Sequence, residues 1–225
     1  MRHWIFVVAA TWAIAASARP AHVLAPDARV AGADAAELSA RWWQWASVAP
    51  PGARAYDDPS GARCADAQQG PVWFLAGTSG DAAVERHCSV PYGKYVFFPI
   101  ITMLHHSPRG RHVPCDEVRA AAAVNNDHLQ YAIVKIDGVV VPDAKRFRAR
   151  TKACFDVYER APYVGNAGEF APAASDGYWI LLAPPSRGRH HISVRANYAN
   201  PASGAAGGGL VQYFDYTIDV VDPSI

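Results

Sequence analysis

The sequence lacks several patterns that would indicate an activity. It has no G-x-S-x-G nucleophile elbow, no H-E-x-x-H zinc helix and no paired-cysteine zinc motif. The glycine-rich stretch at residues 203–209 lacks the lysine and the serine or threonine of a phosphate-binding loop. An excess of one charge is also missing, because the formal net charge is only +1. We therefore expect no nucleic-acid partner, and we predict neither a cofactor nor a catalytic residue.

Long apolar runs are also scarce. After residue 18 no stretch of 18 apolar residues occurs, so we expect no transmembrane segment. The N-terminus carries an apolar run from Trp4 to Ala16, which follows a short basic start and ends in the small residues Ala16–Ala18. This run is shorter than the about 20 residues that a membrane span needs, and its pattern is typical of a secretory signal peptide. We predict a signal peptide over residues 1–18, cleavage after Ala18, and a secreted or periplasmic product.

Cysteine is rare, since the chain has four. An even number in an exported chain favours two disulfides, and four cysteines allow three pairings. We favour Cys64–Cys88 and Cys115–Cys154, because each pair would bracket one structural unit. The alternative is a reactive thiol at Cys88, beside His87, which an oxidising compartment disfavours.

What the sequence does have is two strongly β-like runs. Val72–Ala76 and Tyr95–Ile101 are apolar and lie near glycine and proline turn signals. In Tyr95–Ile101 neither alternating set is polar, so this strand should be buried on both faces. We predict a mainly β fold, a two-sheet antiparallel β-sandwich of jelly-roll or Ig-like type with two flanking α-helices. A single domain should occupy residues 34–225, after a flexible leader at residues 19–33.

The two helices are predicted from their first turns. Asp34 and Glu37 have the spacing of a capping box, which predicts a helix over residues 35–48 that ends before two prolines. A proline followed by two acidic residues and an alanine-rich stretch predicts a second helix over residues 114–129.

The first helix contains three tryptophans with different expected roles. Leu38, Trp42 and Trp45 form one stripe, which should cover the sheet. Trp43 and Gln44 point elsewhere on the helix. They are therefore candidate ligand-binding residues.

Further β segments follow the second helix. Asp137-Gly138 separates two β-branched runs and predicts a hairpin. Residues 160–177 have little periodicity and should form a long loop. Alternating or apolar patterns predict strands over residues 177–182, 190–196 and 210–221.

The segment Lys145–Lys152 carries a concentrated row of basic residues. If the segment is extended, Arg146, Arg148, Arg150 and Lys152 share one face. Such a row could bind an anionic glycan or a lipid head group, or it could be a solvated strand face. Arg148 is a candidate ligand-binding residue, and it could equally be an internal ion-pair partner.

Three further residues complete the candidate ligand-binding set, namely Lys94, Asp176 and His190. His190 lies on the apolar side of its predicted strand. A buried histidine that bonds to a carboxylate is the favoured interpretation of His190, ahead of a ligand or a catalytic base.

His105, His106 and His112 lie close together in the sequence and could bind zinc or copper. A loop separates the third from the first two, so their spacing fixes no geometry. Solvated loop histidines are the favoured interpretation, and we predict no metal site.

Several blocks recur together in a recognisable order: W-W-Q-W at residues 42–45, Q-G-P-V-W-F-L-A-G at 69–77, C-x-V-P-x-G-K-x-x-F-F-P at 88–99, D-G-V-V-V-P at 137–142, D-G-Y-W-I-L-L at 176–182 and G-x-H-x-I at 188–192. Over roughly residues 35–221 the chain resembles a family of uncharacterised secreted bacterial proteins with signal peptides. The resemblance implies export and a β-rich fold. It implies no activity.

Three functions follow as hypotheses. The first is a non-catalytic binding module for a glycan or an anionic envelope component, because tryptophans and arginines suit sugars and anions. The second is a structural or interaction protein of the cell envelope. The third is a metal-dependent or hydrolytic enzyme that would use Lys94, Asp176 and His190, or the three clustered histidines. We favour the binding module.

Overall fold

The computed structural model describes residues 21–80, 83–165, 168–199 and 210–223. The helices there are α1 (Ala35–Ala46) and α2 (Cys115–Ala123), with short 3-10 turns at Asn126–His128 and Ala144–Phe147. The predicted signal peptide and the glycine-rich stretch lie outside the described residues. In chain order the described strands are β1 (Val72–Phe74), β2 (Val84–Pro91), β3 (Tyr95–His106), β4 (Leu129–Ile136), β5 (Val139–Val140), β6 (Arg148–Arg150), β7 (Ala173–Leu182), β8 (Gly188–Tyr198) and β9 (Val211–Val221).

The strands form two sheets that share a core. One sheet has the order β1-β3-β7-β6, and the other has the order β2-β9-β8-β4-β5. Side chains from both sheets meet in one cluster, which includes Phe98, Ile180, Val194 and Phe214. The predicted mainly β, two-sheet sandwich with two helices is confirmed.

Strand direction departs from the all-antiparallel pairing that the sequence suggests. β1 runs parallel to β3, and β2 runs parallel to β9. β1 and β3 are parallel because the chain crosses to the other sheet as β2 between them and then returns. β2 and β9 are far apart in the chain, so no hairpin sets their relative direction. Each sheet is therefore mixed, with one parallel strand at an edge.

The central strand β3 is covered on both faces. Phe97 packs toward α1, and its ring stacks on Trp179 with the two centroids 5.1 Å apart. Phe98 points the other way, into the core between the sheets. Both phenylalanines have 0% exposed surface, which confirms the prediction for this strand.

The first helix has the predicted start and the predicted buried stripe. Asp34 and Glu37 each accept a hydrogen bond from the other's backbone N–H, which completes the capping box. Leu38, Trp42 and Trp45 are buried against β1, β3 and β7. The helix ends two residues earlier than predicted.

The second helix is much shorter than predicted, because it ends at Ala123 and not at Leu129. Asn126 follows in a 3-10 turn, and its buried side chain donates to the carbonyl oxygens of Ala122 and Asp176, both at 3.0 Å. These bonds hold the chain in a turn against β7 that a continued helix would not allow. Among the described helices, none combines the length and apolarity that crossing a membrane requires.

Residues 21–33, expected to belong to a flexible leader, make regular contacts with the four-stranded sheet. Val23 forms an antiparallel bridge with Leu182, and Leu24 N donates to Leu181 O at 2.8 Å. The short strand β6 pairs with residues 176–178 only, so this edge of β7 stays open farther along and takes the N-terminal segment.

Both favoured disulfides are present. Cys64–Cys88 and Cys115–Cys154 each have Cα atoms 5.9 Å apart. The alternative of a reactive thiol at Cys88 is therefore wrong. The second disulfide ties the start of α2 to the segment that follows β6.

Other local predictions have mixed outcomes. The hairpin at Asp137-Gly138 joins β4 to β5, and both turn residues have positive φ, as its sequence predicts. β7 begins at Ala173, inside the predicted loop, because its first residues pair with the extended end of β3. The basic row is not one strand: Ala144–Phe147 is a 3-10 turn and only Arg148–Arg150 is extended, so the predicted four-residue stripe is not formed.

Candidate functional site

A cleft opens beside the C-terminal half of α1, next to β3 and the start of β9. Its volume of 340 Å³ lies at the lower end of the range of about 300–1,000 Å³ that small-molecule sites occupy. The described residues that line it include one arginine, one histidine and no aspartate or glutamate. They also include Trp43, Tyr56, Gly77, Thr78, Tyr158 and Gln212, and the arginine and histidine are Arg54 and His106.

Trp43 forms one wall of the cleft. It follows Trp42 on α1, so the turn of the helix that buries Trp42 leaves Trp43 half-buried at the surface. The two rings meet edge to face, with centroids 4.9 Å apart. The indole Nε1 of Trp43 donates to Ser175 Oγ at 3.1 Å, which fixes the ring and leaves part of it open to the cleft.

Tyr158 and His106 form a second aromatic group in the lining. Both rings pack against Phe170, with centroid distances of 5.0 Å and 5.4 Å. His106 Nδ1 lies 2.8 Å from the carbonyl oxygen of Ser107. Since a carbonyl only accepts, Nδ1 is assigned as the donor, which makes Nε2 an acceptor in the neutral ring.

Gln212 closes the cleft on the side of β9. Its amide bonds both ways to the backbone of Thr78, because Oε1 accepts from Thr78 N at 2.8 Å and Nε2 donates to Thr78 O at 2.8 Å. Gly77 lies directly beneath this amide. A Cβ atom at Gly77 would come within 2.7 Å of Gln212 Oε1, so a larger residue here would require the Gln212 amide to shift.

Arg86 lies beneath the cleft and joins two of its walls. It belongs to β2, is 3% exposed, and has no carboxylate partner among the described residues. Its guanidinium donates to one phenol and four backbone carbonyls, at 2.6–3.3 Å: Tyr216 Oη and the oxygens of Tyr56, Asp58, Ala76 and Gly77. This cation therefore holds the loop after α1 against the loop after β1.

Arg54 brings the positive charge to the cleft lining. Nη1 donates to Tyr56 Oη at 2.5 Å, Nη2 donates to Tyr163 Oη at 3.3 Å, and Nε donates to Ala49 O at 3.3 Å. Burial alone would lower the pKa of Arg54. The hydrogen bonds to Tyr163 and Tyr56 have a larger effect in the opposite direction, so the pKa of Arg54 is raised. Burial also raises the pKa of Tyr56.

Of the six predicted ligand-binding residues, only Trp43 lines this cleft. Gln44 is one residue further along α1 and donates from Nε2 to Glu159 Oε2 at 2.8 Å. Lys94 donates from Nζ to Gly70 O at 2.6 Å, in the turn that precedes β3. Both side chains thus bond to other loops, away from the cleft.

Arg148 and Asp176 belong to a closed ion-pair network. Arg148 donates through Nε and Nη2 to the two carboxylate oxygens of Asp176, each at 2.9 Å, and Asp127 lies 2.7 Å from Nη1. Arg150 Nε also pairs with Asp176, at 2.9 Å. Burial alone would lower the pKa of Arg148, but the hydrogen bonds to Asp176 and Asp127 raise it by more. The interpretation of Arg148 as an internal ion-pair partner is confirmed.

His190 is fully buried, with 0% exposed surface. Its Nδ1 lies 2.8 Å from Asp137 Oδ2, and its Nε2 lies 2.8 Å from Ser186 O. Burial would raise the pKa of Asp137, but bonds from His190 and from backbone N–H groups lower it. The interpretation of His190 as a buried histidine bonded to a carboxylate is confirmed.

The clustered histidines are separated by the fold. His105 and His106 are successive residues at the end of β3, so their side chains point to opposite faces, and His112 lies in the following loop. Within the described ranges, no group of three or more His, Cys, Asp or Glu side chains is placed to hold a metal ion.

Sequence reasoning missed most of the cleft. Arg54 and Tyr158 lie in segments without regular structure, where no periodicity marks them. Arg86 did carry a signal, because it shares the inward-facing set of β2 with Cys88 and Val90. An arginine in such a set must find several acceptors inside the protein.

Comparison with known proteins adds no family. No protein-family model matches the chain, and no curated protein matches it. The chain is similar to a solved structure described as the solution structure of Amebosin, at 13% identity and a TM-score of 0.25, over 68% of this chain and 100% of that one. A TM-score this low carries no argument about fold or function.

Proposed function

We propose that the protein is an exported binding module that holds a glycan residue in the cleft beside α1. The observation that carries this proposal is the aromatic lining, with Trp43, Tyr56 and Tyr158 around a volume of 340 Å³. Aromatic faces pack well on the apolar faces of sugar rings. The nearby polar groups can bond to sugar hydroxyls, as in small-molecule sites that combine apolar walls with a few polar groups.

The fixed walls of the cleft support a receptor that is formed before its ligand arrives. Arg86 holds the two loops together, and Gln212 holds the Thr78 backbone. A preformed site avoids the cost of ordering loops on binding. The Arg148 network does not support a second ligand site, because its guanidinium is already bonded to two carboxylates.

The enzyme hypothesis gains no support from the residues that it needs. Lys94, Asp176 and His190 bond in three separate places, to Gly70, Arg148 and Asp137. The hypothesis of a structural envelope partner likewise has no specific observation in its favour. The aromatic cleft therefore favours the binding module over both alternatives.

The test is glycan binding by the purified protein and its Trp43→Ala and Tyr158→Ala variants, on an array and by calorimetry. We expect the protein to bind a subset of glycans, and each variant to lose about tenfold or more in affinity, because a stacked aromatic ring contributes about 1–3 kcal/mol in comparable platforms. The matched control is Tyr92→Ala. Tyr92 is 43% exposed, does not line the cleft, and packs under Arg187.

Absence of binding to any glycan would contradict the proposal. Equal losses in Tyr92→Ala and Trp43→Ala would also contradict it, because such a result would place binding elsewhere. Circular dichroism of each variant shows whether a loss reflects the cleft or unfolding.

Export is supported by the N-terminal signal-peptide pattern and by the resemblance to secreted bacterial proteins. The two disulfides are compatible with an oxidising compartment. Expression of the full chain in a bacterium, followed by fractionation and N-terminal sequencing, should find the protein outside the cytoplasm with Arg19 first. A cytoplasmic product that keeps residues 1–18 would contradict export.

A further inference from the structure

Arg54 lines the cleft and is half-buried. Two other half-buried arginines, Arg148 and Arg195, each have a carboxylate within 2.9 Å. Arg54 has none among the described residues, and the described lining of its cleft contains no acidic side chain. The described lining of the cleft therefore contains one guanidinium and no carboxylate.

Arg54 also has donors to spare. A guanidinium has five N–H groups, and three of those of Arg54 are used on Tyr56, Tyr163 and Ala49. That leaves two, one on Nη1 and one on Nη2, without an acceptor in the described part of the chain. Each of these N–H groups can donate a charge-assisted hydrogen bond to a carboxylate oxygen.

The surrounding phenol does not neutralise the charge. Tyr56 is neutral at pH 7, because the ordinary pKa of a tyrosine is 10 and burial raises that of Tyr56 further. A half-buried guanidinium beside neutral groups loses part of its hydration without gaining a counter-ion. An anion from outside the protein would supply that counter-ion.

Arg54 is connected to the aromatic wall. Its partner Tyr163 packs edge to face against Tyr158, with centroids 6.3 Å apart, and Tyr163 Oη donates to Ser47 O at 3.0 Å. Arg54, Tyr158 and Trp43 all line the same cleft. A ligand that fills the cleft can therefore place a ring against the aromatic wall and a charged group at Arg54.

We propose that the cleft selects a ligand that joins a ring to a carboxylate, as a uronic acid residue of an acidic glycan does, and that Arg54 determines this selectivity. This inference rests on the proposed function as far as the ring is a sugar. A carboxylate fits better than a phosphate monoester, because one arginine balances a single negative charge and a phosphate carries nearly two.

The experiment compares each acid with its own methyl ester, which keeps the ring and removes the charge. The probes are glucuronic acid, galacturonic acid, their short oligosaccharides and benzoate, titrated by calorimetry or NMR. We expect at least one acid to bind about 10- to 100-fold more tightly than its ester, the range for a hydrogen bond to a charged group. Arg54→Met should abolish this preference, and Arg54→Lys should keep part of it because it retains the charge.

The matched control is Arg63→Met, since Arg63 is exposed and donates to Ala53 O outside the cleft. It should keep the full preference. The acid and ester comparison on the unmodified protein tests the proposal even if Arg54→Met fails to fold.

The outcomes separate the two proposals. Equal binding of sugar acids and esters would overturn the role of Arg54 and leave the glycan module standing. Binding of benzoate, but not of methyl benzoate or any sugar, would support the carboxylate site and overturn the glycan. No binding by any probe would overturn both.

Discussion

Two half-buried arginines of this protein, Arg54 and Arg148, differ in what they contact. Arg148 is bonded to the buried carboxylate of Asp176 and also to Asp127, so its charge is balanced within the chain. Arg54 bonds to phenols and a carbonyl, and two of its donors point to no described acceptor. A row of basic residues drew attention to Arg148 in the sequence. The charge of Arg148 is therefore balanced within the chain, whereas the proposed role of Arg54 depends on donors that no described group uses.

The largest expected effect on stability comes from removing the carboxylate of Asp176 from its ion pairs with Arg148 and Arg150. Asp176→Asn removes the carboxylate shared by Arg148 and Arg150 and leaves guanidinium groups next to a buried neutral side chain. We expect the free energy of unfolding to fall by about 3–4 kcal/mol, measured by urea denaturation. Asp222→Asn is the control, because its pair with Arg187 is exposed and should contribute little. Equal effects of the two changes would contradict the contrast between a closed and a surface pair.

The second largest effect on stability is expected at Arg86, the buried arginine beneath the cleft. Arg86→Met leaves several buried carbonyl oxygens without a donor, so we expect a loss of about 3 kcal/mol in the free energy of unfolding and weaker ligand binding. Glu85→Ala is the control, because Glu85 is the exposed neighbour on the same strand. A stable Arg86→Met variant with unchanged binding would show that Arg86 does not position the cleft.

A smaller effect on stability depends on pH, through the carboxyl group of Asp137. The pKa of Asp137 is lowered below its ordinary value of 3.8, so the unfolded state binds more protons than the folded state as the pH falls. The stability from Asp137 is therefore present above the unfolded-state pKa of 3.8 and is lost as the pH falls below it through the lowered folded-state pKa. Asp137→Asn should show a flatter dependence of the urea midpoint on pH in this range. An unchanged slope would mean that the bonds of Asp137 with His190 and the backbone do not stabilise the fold.

The smallest effect is expected at Lys94, a candidate ligand-binding residue that lies outside the cleft. Its one hydrogen bond goes to Gly70 O in a turn. Lys94→Met should change the free energy of unfolding by no more than about 0.5 kcal/mol and leave acid and ester binding unchanged. A loss of ligand binding in this variant would move the site away from Arg54.

The sequence predicted features that depend on local pattern. The capping box of α1, the turn at Asp137-Gly138 and the two apolar faces of β3 are each encoded within a few residues, and all three are confirmed. These three features need no knowledge of how distant segments meet. The disulfide pairing was one of three that the sequence allows, favoured because each pair would bracket one structural unit, and it is also confirmed.

The cleft could not be predicted in this way, because its walls come from distant parts of the chain. Arg54, Tyr158 and Gln212 are brought together only by the packing of α1 and the two sheets. The short α2 has a similar cause, since Asn126 bonds to Asp176 on β7. Trp43 was predictable because it follows a residue of the buried stripe, so its own side chain had to point elsewhere.

Arg86 also bears on how a ligand could enter the cleft. Its guanidinium donates to Tyr56 O and Asp58 O in the loop after α1 and to Ala76 O and Gly77 O in the loop after β1. Outward movement of either loop would break some of these hydrogen bonds, so we expect the opening to change little in width when a ligand binds. The protein should therefore behave as a rigid receptor that sorts molecules by shape and charge at the entrance, and does not adapt to them afterwards.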